Sequence, residues 1–254
     1  MKKLILFLFL ILSVKGTAQE NKTTDLSLTY EVLQNGELKI GHLFKTGTQS
    51  IFYYQNERAS SSSEKQEVID GETVYKATLR SGNKISGNIE TNMVDRSMFS
   101  SENLYKNGTY SQYVVSEKMN DILWKLSAEE KKIGNYLCKK ATTTYKGRNY
   151  TAWYTLQVPL LFGPWKLHGL PGMIVEAYDA ENFISFKLTA IQVKKQSLVY
   201  TPLDRTSAID CKALFLLKSN QANEIKKKIQ TKLPRGASFQ ITKVENNWLE
   251  KSCN

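Results

Sequence analysis

The stretch GPWKLHGLPGMIVEAYD, residues 163–179, combines three glycines and two prolines with an apolar run that follows them directly. Three of the five prolines in the chain lie between positions 159 and 171. Because proline fixes its own φ and holds the preceding residue extended, this segment is predicted to be rigid. Pro171 followed by Gly172 predicts a type II turn, in which the glycine takes a positive φ. We therefore predict a stiff crossover that leads into a new strand at Met173.

This crossover has two interpretations, one structural and one functional. In the first it is scaffolding, Trp165 and Leu167 cover a sheet face, and the structural motif comprises Gly163, Pro164, Gly169, Leu170, Pro171 and Gly172. In the second it is one rim of a binding groove, since a rigid loop loses little conformational entropy when it binds. The candidate ligand-binding residues are then Trp165 and His168 in the crossover and Trp153 in the strand before it.

Most of the remaining chain shows β patterns. Residues 26–32 alternate apolar and polar side chains with the two-residue period of a half-buried strand. The Asn35-Gly36 dipeptide favours a type I′ turn, so residues 38–44 complete a hairpin. The serine run at 60–63 is predicted to be a polar loop. The other predicted strands are residues 51–54, 74–79, 84–91, 110–116, 136–145, 150–158, 173–178, 183–193 and 239–244.

Helical patterns are few. Residues 207–232 show an apolar stripe of helical period and are followed by Pro234, which predicts one long helix, or two if the asparagines near its middle interrupt it. Ser127 and Glu130 fit a capping box, so a short helix that ends at Gly134 is also predicted. The expected fold is therefore mainly β (α+β), a curved antiparallel sheet or partly open barrel with one C-terminal helix packed on it.

Several short motifs follow one another in the central part of the chain. They are Ile-Gly-x-Tyr-x-Cys-x-Lys-Ala at 133–141, Gly147-Arg148, Ala152-Trp153-Tyr154-Thr155, Gly163-Pro164 and Gly169-Leu170-Pro171-Gly172. In this order they resemble the GLPGLI family, exported proteins of Gram-negative bacteria with no assigned activity. Met173 stands where the family name has leucine, an exchange between apolar residues. The resemblance implies an exported, mostly β protein, and it supplies no catalytic residue.

The N-terminus has the pattern of a secretory signal. Lys2 and Lys3 precede an apolar run at residues 4–12, and Ala18 offers a small residue before a cleavage site. We expect residues 1–18 to be a signal peptide and residues 19–254 to form one GLPGLI-like β-rich domain. The mature protein is then periplasmic or extracellular, with no membrane span after the signal is removed.

The charge of the chain indicates what it can attract. The formal charge is +11, and the loss of the three lysines in residues 1–18 lowers it to +8. A positive surface favours acidic ligands, whereas export disfavours nucleic acid as a partner. The expected partner is therefore an envelope protein or an apolar or acidic ligand.

The cysteines and histidines give no clear chemistry. In an oxidising compartment Cys138, Cys211 and Cys253 allow three alternative disulfide pairings. With only two histidines, His42 and His168, the chain offers no spacing typical of a metal site, and no cofactor is predicted.

Two classes of function remain. The first is a binding or accessory module of the envelope that holds an apolar ligand, a peptide or a protein partner. The second is a hydrolase of peptides or glycans, in which His168 acts as general base with Glu176 or Asp179 beside it. No nucleophile motif accompanies these three residues, so no catalytic residue is assigned and the binding role is favoured.

Overall fold

A computed structural model describes residues 20–56, 62–69, 72–79, 85–106, 109–232 and 249–253. The predicted signal peptide at 1–18 and the predicted strand at 239–244 lie outside the described residues. Within the described part of the chain, no helix combines the length and the apolar composition that crossing a membrane requires.

The described residues contain mostly β-strands. The strands are β1 Glu20–Thr24, β2 Leu26–Gln34, β3 Glu37–Thr46, β4 Gln49–Asn56, β5 Ser62–Ile69, β6 Glu72–Leu79, β7 Ile85–Asn92, β8 Ser97–Lys106, β9 Thr109–Lys118, β10 Lys125–Ile133, β11 Tyr136–Tyr145, β12 Arg148–Thr155, β13 Met173–Asp179, β14 Ile184–Gln192 and β15 Gln196–Tyr200. A 3₁₀ turn at Arg205–Ser207 precedes the helix α1, Cys211–Lys232.

Eleven of these strands form one antiparallel sheet in the order β10-β11-β12-β13-β14-β2-β3-β4-β7-β8-β9. The pairs β1–β15 and β5–β6 form two further antiparallel ribbons. The large sheet does not close, because its end strands β10 and β9 do not pair with each other. Helix α1 packs against β8 and β9. The predicted fold class, mainly β with an antiparallel sheet and one C-terminal helix packed on it, is confirmed.

The hairpin turn predicted at Asn35-Gly36 is present. Asn35 and Gly36 have φ values of 49° and 76°, which are the two positive angles of a type I′ turn between β2 and β3. Lys146 and Gly147 repeat the arrangement with 50° and 75° between β11 and β12. Both turns match the right-handed twist of their strands and thereby fix the register of each hairpin.

The short helix predicted at 127–134 is wrong. Residues Lys125–Ile133 form β10, which pairs with β11 as the edge of the large sheet. The Ser127 hydroxyl, predicted to cap a helix, accepts a hydrogen bond from the Glu129 amide at 3.1 Å inside a bulge of β10. A hairpin partner therefore overrides a local capping signal, and Gly134, with φ 56°, turns this hairpin instead of ending a helix.

The type II turn predicted at Pro171-Gly172 is also wrong, because Gly172 does not have a positive φ. In the crossover the positive values belong to Trp165, at 55°, and Gly169, at 86°. Gly172 meets a different requirement, since a Cβ on it would lie 2.0 Å from the Thr155 carbonyl oxygen. The new strand nevertheless begins at Met173, as predicted.

Other elements differ from the sequence prediction in their bounds. Helix α1 begins at Cys211, because the Asp210 carboxylate accepts the Ala213 amide at 2.7 Å as an N-cap, and it continues unbroken to Lys232. Part of the predicted polar loop at 60–63 is strand, since β5 begins at Ser62. The sequence patterns do not predict strands β1, β8 and β15. In β8 polar Ser100 occupies a buried position, which hides the apolar alternation.

The crossover, residues 156–172, packs into the main core. Trp165, Leu167 and Leu170 are buried there with Tyr150 of β12. The Tyr150 and Trp165 ring centroids lie 6.1 Å apart. The prediction that the crossover covers a sheet face is therefore confirmed, and it brings the residues between Pro164 and Gly169 against the end of the β11–β12 hairpin.

Candidate functional site

The sequence-predicted residues of the crossover lie inside the protein. Trp165 and His168 are each less than a tenth exposed. The His168 ring nitrogens face two backbone carbonyl oxygens, that of Lys166 at 2.9 Å and that of Asn120 at 3.0 Å. The His168 carbonyl in turn accepts the indole N–H of Trp124 at 2.8 Å. These contacts join the crossover to the loop that follows β9.

The other predicted residues lie in separate ion pairs. Glu176 binds the Lys131 ammonium at 2.8 Å, and that ammonium lies 4.3 Å from the centre of the buried Trp153 ring. Asp179 pairs with Arg148 at 2.7 Å and accepts the Ile184 amide. Among the described residues no hydrogen bond joins His168 to either carboxylate. Ligand binding by Trp165, His168 and Trp153 stays a prediction.

Sequence reasoning missed a group of four charged side chains that we name the buried ion cluster: Glu117 of β9, Lys146 of the β11–β12 turn, Lys166 of the crossover and Glu250 near the C-terminus. The Lys166 ammonium is 2.5 Å from Glu250, and the Lys146 ammonium is 3.9 Å from the same carboxylate. Both lysines also pair with Glu117. Two positive and two negative charges thus balance in the interior.

Burial and charge act in opposite directions on this cluster. Burial alone would lower the pKa of Lys166, but the carboxylates of Glu250 and Glu117 outweigh it and raise that pKa above its ordinary value. Burial alone would raise the pKa of Glu117. The positive charges of Lys166 and Lys146 have the larger, opposite effect, and the pKa of Glu117 lies below its ordinary value. The opposite charges therefore keep both groups ionised.

Acid is expected to remove the stabilisation that Glu117 contributes. A carboxyl group whose pKa is lowered on folding stabilises the protein above its ordinary pKa of 4.5, and this stabilisation is lost as the pH falls through the folded pKa. Glu117→Gln should lower the free energy of unfolding by about 3 kcal/mol near neutral pH, because Glu250 alone then faces both lysines and one positive charge is left uncompensated. Below pH 4.5 the cost should shrink. Urea unfolding of wild type and of Glu117→Gln, above and below pH 4.5, measures the difference in the free energy of unfolding. A difference that does not change with pH would contradict the lowered pKa of Glu117.

The C-terminal segment, residues 249–253, is fixed against this cluster. The Lys251 amide donates to the Lys146 carbonyl at 2.9 Å, and the buried Arg148 side chain donates to the Leu249 carbonyl at 2.7 Å. A Cβ on Gly147 would lie 2.7 Å from Lys251 Cβ. The Gly147-Arg148 motif therefore serves to dock the C-terminal segment, a partner more than 100 positions away in sequence.

A disulfide joins Cys211, at the start of α1, to Cys253, with a Cα–Cα distance of 5.7 Å. Cys138 is free and buried in β11. Burial raises the pKa of its thiol. Of the three pairings that the sequence allows, the structure contains the one that fixes the C-terminal segment to the helix.

Thiol counting tests this pairing. Protein unfolded without a reductant is expected to react with a maleimide at one thiol per chain, that of Cys138, and at all three cysteines after reduction. Cys138→Ser should leave no reactive thiol before reduction. Three reactive thiols in the unreduced protein would show that the disulfide is absent.

A surface pocket of about 690 Å³ opens beside the buried ion cluster. We name it the α1 pocket; it is lined by residues 116–118, 120–123, 125, 143–146, 210–212 and 253. Ile209 bridges to β9, with its amide donating to the Val114 carbonyl at 2.8 Å, and this bridge holds the first turn of α1 beside the pocket. The walls thus come from β9, β11, the loop between β9 and β10, α1 and the disulfide.

One trio of potential metal ligands lies at this place. Donor atoms of Glu117, Cys211 and Glu250 lie within 4.8 Å of one another. The Cys211 sulfur is bonded to Cys253, and both carboxylates pair with lysine ammonium groups. These residues therefore do not fit a metal ion, because the ion would need a free thiolate and carboxylate oxygens that are not already paired with lysines.

Comparisons with known proteins give limited matches. Residues 143–176 match a family described as a protein of unknown function (Porph_ging). No curated protein matches the chain. Two solved structures of PNGF-II are similar to it, one in space group P21 (15% identity, TM-score 0.46, 77% of this chain) and one in C2 (14% identity, TM-score 0.48, 78% of this chain). The chain spans about a third of the PNGF-II chains, 33% in each case.

Proposed function

We propose that this chain is an exported protein of the bacterial envelope that acts as a binding or accessory module, and that the α1 pocket is its ligand site. The observation that carries the proposal is the pocket itself, at about 690 Å³ within the range of roughly 300–1,000 Å³ typical of small-molecule sites.

The pocket is supported by fixed elements. The disulfide and the hydrogen bonds to residues 249–253 hold one wall, and the buried ion cluster lies beneath it. The β11–β12 hairpin turn is joined to this wall, because the Lys146 ammonium donates to the Cys253 carbonyl at 3.0 Å. A site that is formed before the ligand arrives loses less conformational entropy on binding.

Export to the periplasm or the cell exterior is part of the proposal. The signal-like sequence at residues 1–18 supports it, and so does the Cys211–Cys253 disulfide, because disulfides persist in oxidising compartments. We also propose membership of the GLPGLI family, on the motifs between residues 133 and 172. The hydrolase alternative has less support, because the His168 ring nitrogens face carbonyl oxygens and Asp179 is paired with Arg148.

A matched pair of variants tests the pocket. Thr144 and Thr189 are both exposed strand residues whose hydroxyls make one hydrogen bond, and Thr144 alone lines the α1 pocket. The full chain, produced in a Gram-negative host and purified from its periplasm, is examined by native mass spectrometry. Wild type and Thr189→Trp are expected to carry a bound small molecule, and Thr144→Trp, whose indole fills the pocket, is expected to lose it.

The same material tests export. The periplasmic protein is expected to begin at Gln19 after removal of residues 1–18. Protein retained in the cytoplasm would contradict the exported location. Wild type without a bound molecule, or Thr144→Trp that retains it, would contradict the pocket as the ligand site.

A further inference from the structure

The acidic side chains of the α1 pocket already have partners. Asp121 pairs with Arg96 at 2.7 Å, and the Asp210 carboxylate caps α1 through the Ala213 amide. Glu117 pairs with Lys146 and Lys166 in the buried ion cluster. Each carboxylate among the described residues that line the pocket therefore already has a partner.

Three basic side chains of the pocket differ in this respect. Lys118 ends β9, Lys125 begins β10 and Lys212 lies in the first turn of α1, and all three line the pocket. They are exposed, and within the described part of the chain none of them has an ion-pair partner. Three separate elements thus bring uncompensated positive charge to one concave site, where the field of several charges adds.

The pocket also has an apolar wall. Leu123 lines it and is 83% exposed, the largest exposed fraction among the large apolar side chains of the described residues. Cys211 and Cys253, which form the disulfide, also line the pocket. An exposed leucine beside convergent lysines favours a ligand that carries both an apolar part and a negative charge.

We propose that the α1 pocket binds an anionic amphiphile, a small molecule in which a carboxylate or phosphate group adjoins an apolar portion. This inference rests on the proposed function, since it names the ligand class of the same pocket. Lys118, Lys125 and Lys212 contact the anionic group, and Leu123 contacts the apolar portion. A free fatty acid, with its carboxylate, and a lipid, with its phosphate, both combine a negative charge with an apolar portion.

Three probes distinguish these features. Sodium decanoate carries a carboxylate and an apolar chain, 1-decanol has the same chain without charge, and inorganic phosphate has charge without a chain. Backbone amide NMR of the mature chain, recorded below the micelle concentration of decanoate, locates binding through shifts of residues 116–125 and 210–212. Decanoate is expected to bind at least about tenfold more tightly than decanol, and more weakly as salt is raised.

Charge-matched variants provide the control. The pocket variant carries Lys118→Gln, Lys125→Gln and Lys212→Gln, and the control variant carries Lys187→Gln, Lys194→Gln and Lys195→Gln at exposed positions outside the pocket. Both lose three positive charges. Decanoate affinity is expected to fall about tenfold or more in the pocket variant and less than about twofold in the control. Unfolding temperatures of both variants equal to that of wild type show that the fold is kept.

The outcomes separate this inference from the proposed function. Decanol that binds in the pocket as tightly as decanoate, or equal losses in the two variants, overturns the anionic ligand class and leaves the pocket as a binding site. If none of the three probes shifts the pocket amides, the anionic-amphiphile inference is also overturned. The comparison of Thr144→Trp with wild type tests the proposed function independently of these probes. Pocket shifts by phosphate alone would show an anion site with no need for an apolar portion, which overturns the amphiphile.

Discussion

Gly172→Ala is expected to destabilise the protein by about 4 kcal/mol or more, a cost reached only when a substitution forces the backbone to move. The new Cβ would lie 2.0 Å from the Thr155 carbonyl oxygen and 2.7 Å from its carbon. Both atoms belong to the backbone at the end of β12, so no side chain can rotate to make room. Chemical unfolding monitored by tryptophan fluorescence measures the loss.

Gly169→Ala in the same crossover is the matched control. Gly169 has a φ of 86°, and a Cβ there would meet no atom within 4 Å. Its cost comes from backbone conformation alone, which for a residue with a side chain in the left-handed region is about 1–2 kcal/mol. If Gly172→Ala costs no more than Gly169→Ala, the close approach between the crossover and β12 is not present in solution.

The comparison of these glycines shows what the sequence reveals at the crossover. Proline and glycine spacing correctly predicts an interruption between two strands and the start of the new strand at Met173, because both follow from local φ restrictions. The reason for Gly172 is a contact with Thr155, and no local pattern records which strand end will lie against a glycine. Glycine is therefore required at position 172, but because of close packing against Thr155 and not because of a positive φ.

The β10 segment illustrates a second limit. Ser127 and Glu130 have the spacing of a helix N-terminus, and the same residues lie in a bulged edge strand because β11 offers a hairpin partner. Strand pairing depends on the tertiary context more than helix propensity does. The overall β class was predictable because the Asn35-Gly36 hairpin turn and the alternation of apolar and polar residues around it agree with each other.

The candidate site was hardly predictable at all. Its pocket is assembled from residues 116–125, 143–146 and 210–212 together with Cys253, and these segments come together only through the sheet order and the disulfide. One signal in the sequence does point to it. Lys166 lies between two apolar residues, Trp165 and Leu167, in a crossover predicted to cover the core, and a lysine there needs a buried counter-charge.

Lys166→Met is expected to lower the free energy of unfolding by about 3–5 kcal/mol. Lys166 is 1% exposed and neutralises both Glu117 and Glu250, which are also buried. Without the ammonium group these two carboxylates share the single charge of Lys146, so one negative charge remains uncompensated in the interior. Methionine keeps most of the side-chain volume, so that the loss reports the charge and not a cavity.

The double variant Lys166→Met/Glu250→Gln distinguishes a coupled cluster from two independent residues. Removing one charge of each sign leaves Lys146 opposite Glu117, which is a balanced pair, and the double variant should therefore be more stable than Lys166→Met alone. Urea unfolding of wild type, both single variants and the double variant gives the coupling energy. Lys187→Met at an exposed position should change stability by less than about 0.5 kcal/mol. Additive costs for Lys166 and Glu250 would mean that Glu250 does not face Lys166, and the C-terminal segment would then not form the wall of the α1 pocket.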